Sequence, residues 1–198
     1  MKDIRLLGDV VRVKLKESGI PAGPYILAEN LFLLFLAANF TFYLPFSEVT
    51  HTFLPLAVII IGTIYGIKSG MAGIALFIIM VHLGLPGFAI ESIPFFPVEG
   101  YLLALLPAVL ISGLSANFEW DRDLRRSLYY ITFCQLLVIG CSALWLRYFG
   151  AAEVLNLKGM LVQLVPAIAC STILGALVLK ITWSAVLHMD ADGESASN

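Results

Sequence analysis

Three stretches of this sequence are long and apolar enough to cross a lipid bilayer as helices. They run from Tyr25 to Leu44, from Leu128 to Phe149 and from Met160 to Trp183. A spanning helix needs about 20 predominantly apolar residues. A fourth stretch, Gly100 to Asn117, is shorter but carries no charged side chain. Because lipid offers no hydrogen-bond partners, backbone groups must pair within helices, and the sequence predicts an all-α membrane protein.

The composition supports this class and excludes others. Hydrophobic residues make up 60% and charged residues 13% of the 198 positions, with a mean hydropathy of +0.92. Soluble domains are about a quarter charged. The net charge of -2 gives no basic excess, so we expect no nucleic-acid partner. The cysteines, Cys134, Cys141 and Cys170, lie in apolar segments and indicate neither a disulfide framework nor a metal site. We expect no cofactor.

A fifth apolar region, Phe53 to Leu85, is too long for one span and is interrupted at Lys68-Ser69. It predicts two short helices joined by a tight turn, which brings the total to six spans. A re-entrant pair that does not fully cross is the alternative, because each half is short for a bilayer of about 30 Å. Three glycines at four-residue spacing suggest a close helix contact, either internal or with a partner: Gly62, Gly66 and Gly70.

The predicted organisation is a bundle of six transmembrane helices with both termini cytoplasmic. Residues 1–24 form a cytoplasmic lead-in, and residues 25–187 form the membrane domain, with spans at about 25–44, 50–67, 69–85, 100–117, 128–149 and 160–183. Residues 188–198 are predicted to be a disordered acidic tail.

The orientation follows from the positions of lysine and arginine, which collect on the cytoplasmic side. With six spans, the inner side receives Lys2, Arg5, Arg12, Lys14, Lys16, Lys68, Arg122, Arg125 and Arg126. The outer side receives Arg147 and Lys158. This asymmetry supports six spans and favours a multi-pass protein of the bacterial cytoplasmic, or inner, membrane. The lead-in from Asp3 to Lys16 has helical periodicity, which fits an amphipathic helix on the membrane or on a partner, or a solvated segment.

No catalytic signature is present: the sequence has neither a His-Glu-x-x-His metal motif nor a phosphate-binding loop. His82 is best interpreted as a hydrogen-bonding residue in helix packing. Glu29 and Asn30 lie near the cytoplasmic end of the first span, where a carboxylate reaches the interface.

The segment from Gly84 to Gly100 combines three prolines with aromatic and acidic residues. Phe88 offers apolar surface, and Glu91 and Glu99 offer hydrogen-bond acceptors. These features favour a stiff loop over a ligand at the outer face. The alternative is an aromatic belt at the membrane interface.

Four fragments, in their order and spacing, resemble the BioY family of substrate-binding membrane subunits, or S components, of energy-coupling factor vitamin transporters. They are Thr52-Phe-Leu-Pro-Leu-Ala-Val58, the glycines Gly62, Gly66 and Gly70, Leu83-Gly-Leu-Pro-Gly-Phe-Ala89, and Gly100-Tyr-Leu-Leu103. The similarity covers roughly Thr52 to Leu114, and more loosely Leu144-Trp-Leu146 and Val165-Pro166.

The resemblance implies a six-helix protein that binds biotin near its outer face. It also implies two kinds of partner, a transmembrane coupling subunit and cytoplasmic ATPases, so the subunit itself is not expected to be an enzyme. By position, Thr52 matches the family's threonine at the start of the second span. Tyr101 matches the tyrosine of its Gly-Tyr-Leu motif.

The chain also departs from the family pattern. Leu54 stands where the family has glutamine, and Phe96-Pro-Val-Glu-Gly-Tyr101 replaces Gly-Pro-Thr-Gly-Gly-Tyr. In the last span, Ile168 and Ser171 replace an aspartate and a lysine that the resemblance implies for biotin binding. A buried polar ligand needs hydrogen-bonding partners. Our hypothesis is that four polar residues compensate: Glu91, Glu99, Gln135 and Gln163.

Two functions therefore remain open at the level of sequence. The first is a divergent S component that takes up biotin or a related small compound. The second is a structural or regulatory membrane protein that keeps the fold without transport, which the replaced aspartate and lysine motivate. A membrane-embedded enzyme ranks last, because no pair of catalytic groups is predicted to converge.

Overall fold

A computed structural model describes residues 6–43, 50–85, 98–149 and 157–195. This part contains six α-helices, a two-stranded antiparallel sheet and one 3₁₀ turn. Their bounds are α1 Leu7–Glu17, α2 Ala22–Asn39, β1 Thr41–Tyr43, β2 Thr50–Thr52, α3 Leu54–His82, α4 Val98–Asn117, the 3₁₀ turn Trp120–Arg122, α5 Leu124–Phe149 and α6 Leu157–Ser195.

Helix α3 lies at the centre of the bundle and contacts each of the other five helices. The core forms around it, and several of its side chains are completely buried, as Ile59, Ile74 and Phe77 show. One hydrogen-bonded polar group within the core joins α3 to α5. The Thr63 hydroxyl lies 2.8 Å from the Ile59 carbonyl oxygen and 3.2 Å from the Tyr130 hydroxyl. Such pairing is required where water is excluded.

Helix α3 is broken at Gly66, which has φ 75° and ψ 178°. A Cβ atom built on Gly70 would lie 3.4 Å from the Cα atom of Gly62. In an unbroken helix, residues eight apart are separated by about 12 Å. The chain therefore reverses at Gly66, and the two halves of α3, residues 54–65 and 67–82, pack against each other.

The sequence predicted this pair of short helices but placed the break at Lys68-Ser69. The structure places the break at Gly66 instead. The backbone conformation at the break is one that essentially only glycine adopts. Lys68 and Ser69 already belong to the second half of the helix.

The glycines of α3 allow α4 to approach closely. A Cβ on Gly62 would overlap Ser112 and lie 2.9 Å from the Val109 carbonyl oxygen. A Cβ on Gly70 would lie 2.7 Å from the Val109 side chain. On α4, a Cβ on Gly113 would lie 2.9 Å from the backbone nitrogen of Ile67. The two helices thus touch backbone to backbone, which is a typical way of packing helices in lipid.

The bundle has two ends that differ in character. The Gly66 end comprises α1, the turn at Gly66 and the 3₁₀ turn that follows α4. The β-hairpin end comprises β1, β2 and the first turn of α4. Strands β1 and β2 pair with Thr41 opposite Thr52, and Phe42 opposite His51. The sequence had assigned these residues to the ends of two spans, and the short sheet is an addition to the predicted fold.

In the part of the chain that the structure describes, five helices are long and apolar enough to cross a membrane by length and composition. They are Ala22–Asn39, Leu54–His82, Glu99–Asn117, Leu124–Phe149 and Leu164–Val186. Helix α6 continues to Ser195, into the segment predicted to be a disordered tail. Extending a helix costs far less than starting one, which explains why a polar continuation stays helical.

Helix α1 packs beneath the turn at Gly66. Leu7 is buried, and a Cβ on Gly8 would lie 2.7 Å from the Ile64 carbonyl oxygen. The predicted amphipathic lead-in is therefore a helix that is part of the bundle, with Lys14 and Lys16 on its exposed face.

Candidate functional site

Thr52 and Tyr101 meet at the β-hairpin end. Thr52 is the last residue of β2, and Tyr101 lies in the first turn of α4. Their hydroxyl oxygens are 3.4 Å apart, longer than the roughly 2.7–2.8 Å of a typical hydroxyl hydrogen bond. Tyr101 is 7% exposed, and Thr52 is half-buried. Each hydroxyl can both donate and accept, so the pair can also bind a polar atom of a small molecule.

The start of α4 is shaped by a contact between Gly100 and Trp145 of α5. A Cβ on Gly100 would overlap the indole ring, which lies directly against the helix backbone. The rings of Trp145 and Phe149 are 4.5 Å apart. Residue 100 must therefore stay small for Trp145 to pack against the start of α4.

Three aromatic rings pack together at the sheet, next to Thr52 in the sequence. The Phe42 and Phe53 rings stack with centroids 4.5 Å apart, and the His51 ring is 5.6 Å from Phe42. Burial lowers the pKa of His51 below its ordinary value of 6.5, so the imidazole is neutral at pH 7. Phe42 and His51 are cross-strand partners and share one face of the sheet, whereas Thr52, opposite Thr41, has its side chain on the other face and contacts Tyr101.

A second polar group joins α5 and α6 deeper in the bundle. The Ser171 hydroxyl lies 2.7 Å from Gln135 Oε1 and 2.7 Å from the Ala167 carbonyl oxygen. Gln135 Nε2 donates to the Thr172 hydroxyl over 3.2 Å, and Thr132 donates to the same hydroxyl over 3.3 Å. Gln135, Ser171 and Thr172 are all buried. Neutral hydrogen bonds therefore connect the two helices here.

The two polar groups lie at different depths. Trp145 is level with Gly100, and Gln135 lies ten residues earlier on α5. At 1.5 Å per residue, this separation is about 15 Å along the helix axis. The structure therefore brings Thr52 and Tyr101 together but does not place Gln135 beside them. Ser171, at the position where the resemblance implies a lysine, pairs with Gln135.

The other predicted site residues are distributed as follows. Glu99 is in the first turn of α4 and exposed. Gln163 belongs to α6, but its side chain lies outside the described part of the structure, and Phe88 and Glu91 also lie outside the described residues. Of the three glycines, Gly62 and Gly70 face α4, and Gly66 faces the Leu6 side chain.

Of three polar residues singled out in the sequence, Glu29 and Asn30 contact another helix, whereas His82 is exposed and contacts the backbone of its own helix. His82 Nδ1 lies 2.9 Å from the Ile78 carbonyl oxygen. Asn30 is fully buried and donates to the Ser69 carbonyl oxygen over 3.2 Å. The Glu29 carboxyl lies near the Tyr65 side chain. Glu29 and Asn30 thus contact the region around the Gly66 turn.

The Gly66 end contains a buried acidic group. Asp121 is 2% exposed, and Trp183 Nε1 donates to its Oδ2 atom over 2.7 Å. The Arg122 guanidinium lies 4.7 Å from the centre of a Trp183 ring. Burial raises the pKa of the Asp121 carboxyl, and the Trp183 hydrogen bond opposes that rise. This cluster attaches the segment that connects α4 to α5 to the side of α6.

Sequence reasoning missed the His51 and Phe42 ring pair, the partners of Gln135, and the Asp121 cluster. The sequence held a weak signal for the partners of Gln135, since Thr132 and Gln135 are three residues apart in an apolar helix. Asp121 sits among charges of both signs, a pattern usual for a solvated loop.

Within the described ranges, no cluster of three or more His, Cys, Asp or Glu side chains is arranged to hold a metal ion. No curated protein and no solved structure matches this chain. The model of the BioY family matches residues 25–188, which include most of α2, all of β1, β2 and α3 to α5, and most of α6. The match and the apolar helices make this a multi-pass membrane protein, and the chain belongs to the BioY family, whose members are components of vitamin transporters.

Proposed function

We propose that this protein is the substrate-binding subunit of a vitamin uptake transporter and that it binds biotin or a related small compound at its β-hairpin end. Membership of the BioY family supports the role of an S component of an energy-coupling factor transporter. The observation that supports this location is the pair of hydroxyl groups of Thr52 and Tyr101, whose oxygens are 3.4 Å apart.

The chemistry of this site suits a small, mostly apolar ligand with a few polar atoms. The phenol and hydroxyl groups can hydrogen bond a ureido or carbonyl group, and Phe53 and Trp145 offer apolar surface. Glu99 lies in the same turn as Tyr101 and can accept a hydrogen bond near the mouth of the site. Ser171 and Gln135 lie deeper in the bundle and hydrogen bond each other between α5 and α6.

The topology in the membrane is part of this proposal. The elements alternate between the two ends, with the halves of α3 as separate passes, so six passes place α1 and the end of α6 on one side. The Gly66 end carries most of the lysine and arginine residues and faces the cytoplasm in the inner membrane. The β-hairpin end then faces outward, where a vitamin is captured.

Delivery of the ligand requires partners of the kind that the family uses, a transmembrane coupling subunit and cytoplasmic ATPases. Gly62 and Gly70 are covered by α4 within the subunit. We therefore place the contact with the coupling subunit on other surfaces, among the exposed apolar side chains that otherwise face lipid.

The experiment that tests this proposal is equilibrium binding of labelled biotin to the purified protein in nanodiscs, with other water-soluble vitamins as competitors. We expect saturable, selective binding. Thr52→Val and Tyr101→Phe should each weaken it by about two- to ten-fold, the usual effect of losing one neutral hydrogen bond.

A matched control exists within the chain. Thr63 and Tyr130 form a second threonine–tyrosine hydroxyl pair, buried in the core between α3 and α5. Tyr130→Phe should leave biotin affinity unchanged. If neither biotin nor any competing vitamin binds, the proposed role in vitamin uptake is contradicted. The alternative, a structural or regulatory protein with the same fold, is then favoured.

A further inference from the structure

The turn at Gly66 leaves backbone groups that a continuous helix would have paired. A residue with non-helical φ and ψ interrupts the ladder of bonds between each N–H and the carbonyl four residues earlier. Inside a membrane protein, groups freed in this way need another partner. One of them is the carbonyl oxygen of Tyr65, which immediately precedes the turn.

Arg12 of α1 supplies that partner. Its Nη2 atom lies 3.4 Å from the Tyr65 carbonyl oxygen and 3.0 Å from the Ser69 hydroxyl oxygen. Tyr65 ends the first half of α3, and Ser69 lies in the first turn of the second half. A single guanidinium therefore joins the two halves across the turn, and its planar geometry suits this task.

Other contacts fix the position of Arg12. Asp9 Oδ1 lies 3.3 Å from Arg12 Nη1, and Asp9 Oδ2 accepts a hydrogen bond of 3.1 Å from the Leu6 backbone N–H at the start of α1. The Leu6 side chain reaches Gly66, and Gly8 allows α1 to touch the backbone of Ile64. Helix α1 is thus held against the turn by close packing at Leu6 and Gly8 as well as by the hydrogen bonds of Arg12.

The geometry of α3 carries the effect of this contact to the ligand end. The first half of α3 runs from the turn to Leu54, two residues after Thr52. Its 12 residues, 54 to 65, form a lever about 18 Å long. A rotation of about 5° at the turn would move the far end by about 1.5 Å. The 3.4 Å contact between Thr52 and Tyr101 would not survive such a shift.

We propose that Arg12 is a positioning residue for the candidate ligand site: by holding the two halves of α3 together at Gly66, it sets the separation of Thr52 and Tyr101 at the opposite end of the bundle. The link to ligand binding rests on the function proposed above. The mechanical link between α1 and the β-hairpin end does not require it.

The test is hydrogen–deuterium exchange of the full-length protein in nanodiscs, measured with and without biotin. We expect Arg12→Ala to raise exchange rates by about ten-fold at residues 66–70 and also at residues 50–54, the effect of losing a hydrogen bond to a charged group. Where biotin binds, its affinity should fall by a similar factor. Arg12→Lys should restore much of both, because the ammonium keeps the charge and can donate to one of the two acceptors.

Two further variants keep the test interpretable. Lys14→Ala removes a positive charge from the exposed face of the same helix and should change nothing. If Arg12→Ala does not fold, Ser69→Ala removes one acceptor and should give the same exchange pattern at a smaller amplitude. A rise confined to residues 66–70, or a uniform rise in all helices, would overturn the positioning role. If Arg12→Ala raises exchange at residues 66–70 and 50–54 as expected, but the protein binds no vitamin, only the proposed function is refuted.

Discussion

The two ends of the bundle are held together by contacts of different strength. At the Gly66 end, Arg12 bridges the two halves of α3, and Trp183 donates to the buried carboxylate of Asp121 over 2.7 Å. At the β-hairpin end, the polar contact between β2 and α4 is a pair of neutral hydroxyls 3.4 Å apart. Hydrogen bonds to ionised groups are about twice as strong as neutral ones. The comparison suggests a fixed end that holds the helices and a looser end that can rearrange around a ligand.

The largest effect is expected at Gly62, where α3 and α4 meet. Gly62→Leu places a whole side chain where a single Cβ would already lie 2.9 Å from the Val109 carbonyl oxygen. We expect a loss of more than about 4 kcal/mol, enough to prevent folding. Size-exclusion chromatography and thermal unfolding in detergent would measure it.

Gly140 provides the matched control for this substitution. It lies within α5, and a Cβ built there meets nothing within 4 Å. Gly140→Leu should therefore fold normally. If Gly62→Leu behaved like Gly140→Leu, the close contact between α3 and α4 would be refuted, and the glycines would be free for a partner.

The next largest effect is expected at Asp121. Asp121→Ala leaves the buried Trp183 N–H without its acceptor, which should cost about 1–3 kcal/mol of unfolding free energy. Tyr101→Phe, at the looser end, should cost about 1 kcal/mol or less. Equal losses at both sites, measured by thermal unfolding in the same detergent, would remove the distinction between the two ends.

The pH dependence at Asp121 sharpens the same comparison. Burial raises its folded-state pKa above the ordinary value of 3.8, so the folded state favours the protonated form. The free energy of unfolding is then highest below the ordinary pKa and falls as the pH rises toward the raised pKa. Asp121→Asn keeps an acceptor for Trp183 and removes the charge. Its stability relative to the natural protein should be greater at about pH 7 than at about pH 4, and a pH-independent difference would contradict the burial of a charge.

The smallest effect is expected at His51, at the β-hairpin end. Its folded-state pKa is lowered by burial, so the unfolded state binds a proton more readily. The stabilising contribution is fully present above the ordinary pKa of 6.5 and is lost as the pH falls through the lowered value. Protection factors at residues 50–52, which correct the exchange rate for its intrinsic pH dependence, should fall as the pH drops below 6.5 and should not do so in His51→Phe. An equal loss of protection in His51→Phe would locate the titrating group elsewhere.

Sequence alone predicted most of the helices, because their bounds are set by hydrophobic length. The predicted spans 100–117 and 128–149 match α4, Val98–Asn117, and α5, Leu124–Phe149, within a few residues. The short strands were not predicted, because three residues are too few for a periodic signal. The break was placed near Lys68 because charge marks a turn, whereas the decisive property was the backbone freedom of Gly66.

The candidate site was predictable only in part. Thr52 and Tyr101 were chosen by resemblance, and the structure brings their hydroxyl groups within 3.4 Å. The roles proposed for Phe88, Glu91, Glu99 and Gln163 stay predictions. Gln135 was chosen as a ligand partner, but its pairing with Ser171 depends on how α5 and α6 are rotated about their axes, which hydropathy does not specify. Arg12 was counted only as a positive charge, because a contact spanning 57 residues leaves no local pattern.

Hydrogen–deuterium exchange with and without saturating biotin is the most direct test of the difference between the two ends. We expect biotin to slow exchange at residues 50–54 and 98–103, at the β-hairpin end, and to leave residues 62–70 and 118–127, at the Gly66 end, unchanged. Protection concentrated at residues 62–70 or 118–127 would place the ligand at the fixed end, and the absence of protection anywhere would contradict biotin binding itself.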